Sequence, residues 1–244
     1  MSFVTRLANG ARVKVCPVAT FSGIFYSRWQ ERKDILFIRA HANLARVFVD
    51  VGANAGILSA QLFDKFSTSY LFEPGASSYA ALLENCGLNP HVECRTFNIA
   101  VADRNGEVLF LDEGKYSGTS RIVADTDLPD TNIRKIPVAT LGRLLADVDD
   151  DMILKIDVEG AEELVFVGAE PLFKTQRFKL VMFERLGRTN LDKIRKFLDE
   201  CEYLVFYVME DGTPSQDESW IQKPLVNLFA CPKALRKTVS RVLG

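Results

Sequence analysis

Acidic side chains recur where strands are predicted to end along this chain, and two of them flank a glycine-bearing turn. Asp50 closes an apolar run at the start of the segment DVGANAG, and Glu73 closes the next apolar run, 21 residues after Gly52. Glycine lets a ligand approach the backbone, and a carboxylate one β-α unit downstream can accept hydrogen bonds from both hydroxyls of a ribose. The spacing therefore predicts a nucleotide site.

The turn differs from a dinucleotide fingerprint at one position. In GxGxxG the middle glycine lets the backbone reach a pyrophosphate, but Asn54 stands there. A ligand with a carboxylate, an amine and one ribose fits better. We expect the helix start at Gly56 to face the carboxylate, Asp50 the cationic end and Glu73 the ribose. S-adenosylmethionine has this layout, and a nicotinamide cofactor is the alternative.

A second acidic group lies in the segment LKIDVEGAE, which begins at residue 154. Lys155 and Asp157 alternate onto one face of a predicted strand, while Glu159 and Glu162 follow on the turn and the first coil of a helix. We expect Asp157 or Glu159 to act as a general base. Glu162 is better explained as a partner of the helix dipole, and Lys155 with Asp157 also fits an internal ion pair.

Removal of a hydroxyl proton by a carboxylate needs help, because an ordinary carboxylate is a weak base. Either burial raises the pKa of the carboxyl group, or a divalent cation polarises the hydroxyl. Asp157, Glu159 and Glu184, here called the carboxyl triad, all follow predicted strand ends. Their oxygens suit magnesium or calcium. A metal at the triad is an alternative that we do not expect.

Residues 112 to 135 form a polar segment with little periodicity. A loop of this length in a compact domain is more often functional than idle. We expect it to cover the substrate, with Tyr116, Ser120 and Arg121 as acceptor contacts beside Lys155. Surface loops share this hydroxyl-rich composition, so the composition alone does not identify the acceptor.

Strands and helices alternate along most of the chain, which predicts a parallel sheet with helices on both faces. The chain opens with a hairpin around Asn9-Gly10 and a helical segment from Ser27 to Leu44 beside the ligand cleft. Two β-rich runs near the end have no predicted helix between them, so the last pair should be antiparallel. The predicted strands are 47–50, 69–73, 93–100, 108–111, 152–157, 179–183, 203–209 and 226–230, and the predicted helices include 56–66, 77–87 and 192–201.

The chain divides into a hairpin and helix at 1–45, a core domain at 46–232 and a basic tail at 233–244. Its 244 residues, 48% hydrophobic, suffice for one large core. A net charge of -2 argues against a broad nucleic-acid surface. The five cysteines are scattered without a CxxC pair, which favours a reducing compartment. No signal peptide or membrane span is evident, so we expect a cytoplasmic protein without stable membrane insertion.

Six segments stand in the order and spacing of a known family: DVGANAG, FEP with NCGLN following, NIAVADRNGEVLF, TLGRLL, KIDVEGAEELVFVGA and VMFER. From about Ala8 to Arg185 the chain resembles the FkbM family of S-adenosylmethionine-dependent methyltransferases. The KIDVEGAE element is the most specific part of this resemblance. Two departures are mild: Ala55 replaces a larger apolar residue, and Gly142 replaces an acid.

The resemblance implies a class I methyltransferase (Rossmann-like) fold, with a seven-stranded, mostly parallel sheet whose last strand is antiparallel. It implies O-methylation of a hydroxyl on a sugar, glycan or polyketide-type small molecule. The carboxyl triad would then face the acceptor, and Asn98, Ile99 and Ala100 would flank the adenine. The full cofactor set is Asp50, Gly52, Ala53, Asn54, Gly56, Glu73, Pro74, Asn98, Ile99, Ala100 and Asp157.

Two other functions remain open from the sequence. A nicotinamide-dependent oxidoreductase would be distinguished by the residue at position 54 and by a helix between the last two strands. A non-catalytic cofactor-binding scaffold would keep the turn but lack acceptor binding. The partners that we expect are a small-molecule or glycan acceptor and no nucleic acid, and the sequence leaves the oligomeric state open.

Overall fold

The computed structural model of the chain describes residues 2–15, 32–114, 120–123 and 132–240. The strands within these residues are β1 Phe3–Arg6, β2 Arg12–Val15, β3 Val47–Val51, β4 Thr68–Phe72, β5 Glu93–Phe97, β6 Ala100–Val101, β7 Gly106–Leu111, β8 Arg121–Ile122, β9 Ile133–Ala139, β10 Met152–Ile156, β11 Phe178–Arg185, β12 Tyr203–Val208, β13 Pro214–Ser215 and β14 Val226–Pro232. The helices are α1 Arg32–Ala40, α2 Ile57–Ala60, α3 Ala76–Gly87, α4 Leu141–Leu144, α5 Glu162–Gly168, α6 Glu170–Lys174, α7 Leu191–Glu200, α8 Glu218–Ile221 and α9 Arg236–Val239.

The central sheet, over the described residues, has the strand order β13-β12-β14-β11-β10-β3-β4-β5. Neighbouring strands from β11 through β5 are parallel. β14 runs antiparallel to both β11 and β12, and the two-residue β13 pairs antiparallel at the edge. The predicted mostly parallel sheet with an antiparallel last strand is confirmed, and this is the class I methyltransferase (Rossmann-like) fold.

Alternation along β11 shows how the sheet buries both faces. Phe183 belongs to an apolar cluster that includes Phe166 of α5, whereas Met182 belongs to a second cluster that includes Ile38 of α1. Successive side chains of a strand point to opposite faces, so these two clusters lie on opposite sides of the sheet. Strands β3 and β10 are buried at all five positions, as expected of central strands covered on both faces.

A second sheet, with the order β6-β9-β7-β8 in the described part of the chain, corrects two predictions. The predicted strand 93–100 divides, because β5 ends at Phe97 and β6 pairs with β9 in the second sheet. The predicted loop 112–135 contains β8 and the start of β9. Pairing across β7 holds these strands, and the exposed Arg134 and Lys135 give β9 too weak an apolar alternation to be recognised from sequence.

Of three other predictions, the structure confirms one and corrects two. The opening hairpin is confirmed, with β1 and β2 antiparallel. The predicted helix 56–66 is helical only over α2, because the chain then turns through hydrogen bonds of the i to i+3 type, such as Leu62 N–H to Ser59 O at 2.9 Å. The short helix α8, capped by Asp217, lies between the last two long strands where no helix was predicted. Because β12 and β14 pair antiparallel, this four-residue helix is not the crossover helix between parallel strands that would favour an oxidoreductase.

Helices α1 and α9 both pack on the second apolar cluster. Helix α1 covers part of the predicted helical segment 27–44, whose first residues lie outside the described ranges. The short helix α9 buries Val239 against the second apolar cluster. None of the helices in the described ranges is long and apolar enough to cross a bilayer.

Candidate active site

The carboxyl ends of β3, β4 and β10 meet at a cleft of about 660 Å³, part of which is open to solvent. Ten residues predicted from sequence line the cleft: Gly52, Asn54, Glu73, Pro74, Ile99, Ala100, Ser120, Arg121, Asp157 and Glu159. Strand-end residues from three separate β-α units therefore converge, as expected for the ligand edge of an open α/β sheet.

Gly52 brings the turn after β3 against the turn after β10. Its φ of 81° lies in the left-handed region, and a Cβ at this position would stand 1.8 Å from the carbonyl oxygen of Asp157. Its own N–H donates to the carbonyl oxygen of Phe72 at 3.0 Å. No side chain fits in this contact, so glycine here joins the two motifs that the sequence singled out separately.

Glu73 fixes the glycine turn from the neighbouring strand. One carboxylate oxygen accepts the N–H of Asn54 at 2.8 Å, and the other accepts the N–H of Gly75 at 2.7 Å. Asn54 has a φ of 49°, a conformation that asparagine tolerates better than most residues. Burial raises the pKa of Glu73 to about 7, against the opposing effect of these two hydrogen bonds. Each oxygen keeps a lone pair for a ligand hydroxyl.

Asp50 and Lys155 lie behind the cleft wall and do not line it. Asp50 is fully buried, accepts a hydrogen bond from Ser59 and pairs with the Lys155 Nζ at 3.1 Å. The same Nζ donates to the carbonyl oxygen of Gly52 at 2.8 Å and lies 3.4 Å from an Asp157 carboxylate oxygen. The internal ion pair, the alternative noted for Lys155, is thus what the structure shows, rather than the predicted substrate contact.

Three other predicted cofactor residues also stand away from the cleft. A Cβ at Gly56 would lie 2.6 Å from Leu82 Cδ1, so this glycine permits the packing of α3. Ala53 is buried, with its N–H donating to Phe72 O at 3.0 Å. The amide of Asn98 donates to the carbonyl oxygens of Glu73 and Pro74, at 2.8 and 3.0 Å. These residues shape the turns that carry the lining residues.

The carboxyl triad is brought together by the structure. Asp157, Glu159 and Glu184 each offer an oxygen within 4.8 Å of the others, an arrangement that could hold a divalent cation. Burial, and then the charge of Asp157, raise the pKa of Glu159 to about 7. The same two causes, with Glu159 added, raise the pKa of Glu184 above its ordinary value. Crowded carboxylates disfavour one another's ionisation, so part of the triad holds protons near neutrality.

Glu159 is held by Arg188 from the loop after β11. The Arg188 guanidinium donates to the carbonyl oxygen of Glu159 at 2.9 Å and to its carboxylate at 3.0 Å. This ion pair opposes the burial that raises the pKa of Glu159. Sequence reasoning did not identify Arg188, because a contact across 29 residues leaves no local pattern.

An apolar wall completes the cleft and was also missed. Its members are Val51, Phe72, Val101, Phe110, Ile122 and Val158. Val51, Phe72 and Val158 are next to predicted polar residues, so the strand-end rule could have included them. Phe110 and Ile122 reach the cleft only through the pairing of β7 with β8. The predicted acceptor contact Tyr116 lies outside the described residues.

Comparison with known proteins gives one family match and several similar folds. The family model described as the methyltransferase FkbM domain matches residues 50–205. No curated protein sequence matches the chain. Among solved structures, a ribosomal protein L11 methylase from Lactobacillus delbrueckii subsp. bulgaricus is similar with 17% identity, a TM-score of 0.43 and coverage of 84% of this chain and 78% of that one.

Two further solved structures are similar. A precorrin-6y C5,15-methyltransferase from Geobacter metallireducens GS-15 has 12% identity, a TM-score of 0.46 and coverage of 82% of this chain and 87% of that one. A putative RNA methyltransferase from Pyrococcus horikoshii has 13% identity, a TM-score of 0.43 and coverage of 81% and 78%.

Proposed function

The chain belongs to the FkbM methyltransferase family and is a methyltransferase, and from this premise we propose that it transfers a methyl group from S-adenosylmethionine to a hydroxyl of a sugar, glycan or polyketide-type small molecule. The observation that carries the proposal is the meeting of Glu73 with Asp157 and Glu159 on one cleft. A ribose-binding carboxylate and candidate bases thus face the same space.

The residues of the cleft fit this cofactor. Glu73 is 7% exposed yet lines the cleft, so its carboxylate can accept ribose hydroxyls in a largely dry setting. Phe72, Ile99 and Val101 offer an apolar surface for a flat base such as adenine. Asn54 and Gly52 form the turn beside which the methionine portion would lie. When bound, S-adenosylmethionine supplies an electrophilic methyl group for in-line displacement.

Glu159 is the general base in this proposal. Its carboxyl group lines the cleft, and a pKa of about 7 matches the pH at which a base works best. In this role the hydroxyl proton of the acceptor would move to a Glu159 carboxylate oxygen while the acceptor oxygen bonds to the methyl carbon, the methyl–sulfur bond breaks and its electron pair stays on sulfur. Glu184 does not line the cleft, but its pKa is also raised, so it keeps a proton that it can share with the carboxylate of Asp157, which does line the cleft.

Ser120 and Arg121 support a polar, hydroxylated acceptor. Both line the cleft beside the apolar residue Ile122, Arg121 from strand β8 of the second sheet and Ser120 from the position directly before that strand. A hydroxyl and a guanidinium suit the hydroxyl groups of a sugar or of a similar product. The acidic wall of the cleft and the net charge of -2 disfavour a nucleic-acid acceptor. We propose that the acceptor is a small molecule or a glycan.

Titration calorimetry with S-adenosylmethionine, S-adenosylhomocysteine and NAD tests the cofactor. We expect the first two to give a heat of binding and NAD to give none, whereas binding of NAD alone would overturn the proposal. Methyl-labelled cofactor with a panel of hydroxylated acceptors then tests the reaction, with and without EDTA. Loss of labelling in EDTA, restored by magnesium or calcium, would assign the carboxyl triad to a metal instead of to proton transfer.

A further inference from the structure

A fully buried carboxylate joins the loop that follows β10, which carries Asp157 and Glu159, to the loop that follows β11, the strand that carries Glu184. Glu162 has no exposed surface. One of its oxygens accepts the N–H of Gly160 at 2.9 Å, in the loop that follows β10. Its other oxygen accepts the hydroxyl of Thr189 at 3.0 Å, in the loop that follows β11. Thr189 Oγ1 in turn accepts the N–H of Leu186 at 2.9 Å, so the tie reaches the residues directly after Glu184 and Arg185.

Arg188 makes a second tie between the same two loops, on the solvent side. Its guanidinium holds both the backbone carbonyl and the carboxylate of Glu159. Gly160 permits this approach, because a Cβ there would stand 2.4 Å from Arg188 Nε and its φ is 101°. The loop is therefore fastened from the interior by Glu162 and from the surface by Arg188.

Two features of the loop after β10 would be unfavourable without these contacts. Glu159 has a φ of 57°, a left-handed conformation that costs a residue other than glycine on the order of 1 kcal/mol. Its carboxylate also stands within 4.8 Å of two others. When more than one of these groups is ionised they repel one another, so a loop without other contacts would move them apart. The contacts of Glu162 and Arg188 oppose both costs.

We propose that Glu162 and Arg188 are positioning residues of the acceptor site, which hold Glu159 at a fixed distance from Glu184 by joining the loop of Glu159 to the loop that follows β11. This proposal rests on the proposed function, because it assigns the two residues a role in methyl transfer. Neither residue contacts the acceptor or the cofactor in this role. A misplacement of a reacting group by about 1 Å is enough to cost roughly 100-fold in rate.

The neighbouring Glu163 shows why a helix-dipole role does not account for Glu162. Both residues lie in the first turn of α5 and experience the same dipole. Glu163 is partly exposed and pairs with Lys193 at 3.0 Å on the surface. Glu162 instead has its two oxygens taken by two different loops. Glu163→Gln is therefore a matched control for loss of a carboxylate from this turn.

The test compares Thr189→Val, Thr189→Ser, Arg188→Met and Glu163→Gln. Valine keeps the volume of threonine but removes the hydroxyl, and serine restores it. Hydrogen exchange measures the Gly160 and Leu186 amides, calorimetry measures cofactor affinity, and steady-state kinetics measure kcat. For Thr189→Val we expect exchange of both amides to rise at least about tenfold, cofactor Kd to change less than about threefold, and kcat to fall at least about tenfold.

Thr189→Ser should recover most of kcat, and Glu163→Gln should match the wild type in all three measurements. Arg188→Met should lower kcat with little change in cofactor Kd, and it should fold because the Arg188 side chain is half-exposed. If Thr189→Val does not fold, the kcat of Arg188→Met tests the proposal in its place. Equal kcat in wild type and Arg188→Met, or unchanged exchange in a folded Thr189→Val, would overturn the proposal.

The two proposals fail in different ways. A wild-type protein that neither binds S-adenosylmethionine nor methylates any acceptor would remove the proposed function, yet the exchange experiment would still report whether the loops are tied. Full activity in the wild type together with full activity in Thr189→Val and Arg188→Met would leave the function standing and remove the positioning role.

Discussion

The glycine turn and the carboxyl triad are adjacent on the same sheet edge, yet they differ in what surrounds each carboxylate: hydrogen-bond donors and a cation at the turn, and other carboxyl groups in the triad. Around the turn, Glu73 accepts two backbone N–H groups, and Asp50 pairs with Lys155 and accepts from Ser59. In the triad, three carboxyl groups lie within 4.8 Å of one another. Arg188 pairs with Glu159 at 3.0 Å, and Lys155 lies 3.4 Å from Asp157.

The two regions therefore offer a ligand different things: the turn offers a fixed geometry, and the triad offers groups that can take up or release a proton. Hydrogen bonds within the protein already fix the turn, so its geometry exists before a ligand arrives. Burial raises the pKa of both Glu73 and Glu159 to about 7, but two hydrogen bonds oppose this rise at Glu73, whereas the neighbouring Asp157 carboxylate adds to it at Glu159. The turn is therefore suited to hold a cofactor, and the triad is suited to exchange a proton.

The largest effect should come from Gly52→Ala, which breaks the contact between the two regions. A Cβ would stand 1.8 Å from a backbone oxygen and would require a positive φ. We expect a loss of at least about 3–5 kcal/mol in the free energy of unfolding, or about 10 °C in Tm. Thermal denaturation measures it. Gly87→Ala is the control, because no atom lies within 4 Å of its added Cβ, and an equal Tm in both variants would contradict the contact.

Glu159→Gln should affect the triad alone. Loss of a general base typically costs about 10²–10⁴-fold in kcat. We expect that loss with less than about a threefold change in cofactor Kd, because the glycine turn is untouched. The wild-type kcat, measured at saturating cofactor so that protonation of Glu73 does not limit binding, should also fall as pH drops below about 7, where the Glu159 carboxyl group takes up its proton.

Glu163→Gln serves as the control for this pH profile, since its carboxylate pairs with Lys193 outside the cleft. It should keep the wild-type kcat and the same acid limb. A Glu159→Gln enzyme that keeps both would show that Glu159 is not the base, and Asp157→Asn would then be the next variant to measure.

Much of the glycine turn was predictable from the sequence, because strand ends and glycine spacing are local patterns. Gly52, Asn54 and Glu73 line the cleft as the sequence indicated, whereas their contact with a cofactor stays a prediction. The partner of a buried side chain was harder to predict: alternation puts Lys155 and Asp157 on one face of a strand, but does not say that Lys155 pairs with Asp50 of the neighbouring strand. Arg188 and the wall residue Phe110 depend on contacts between distant segments, which leave no period in the sequence.

Glu73→Gln should act on the turn alone and spare the triad. An amide offers only one acceptor oxygen, so one of the two N–H groups loses its partner and a ribose hydroxyl loses an acceptor. We expect cofactor Kd to rise about 10–100-fold by calorimetry, with kcat at saturating cofactor within about threefold. Glu93→Gln, an exposed carboxylate on β5, is the control. A large fall in kcat with unchanged Kd would show that the two regions are not separable.

The smallest effect should be a gain in stability from Glu184→Gln, because burial and the neighbouring carboxylates make ionised Glu184 unfavourable in the folded protein. The folded pKa of Glu184 is raised by burial and by its neighbours, so between about pH 5 and pH 8 the unfolded chain releases this proton more readily than the folded protein. Stability is therefore lost as pH rises through this window. Removing the group should raise Tm at pH 8 by about 3–6 °C, or about 1–2 kcal/mol after allowance for partial exposure and solvent screening. The gain should shrink towards pH 5. The exposed Glu107→Gln should show no such trend, and a gain that does not depend on pH would mean that packing, not charge, limits the triad.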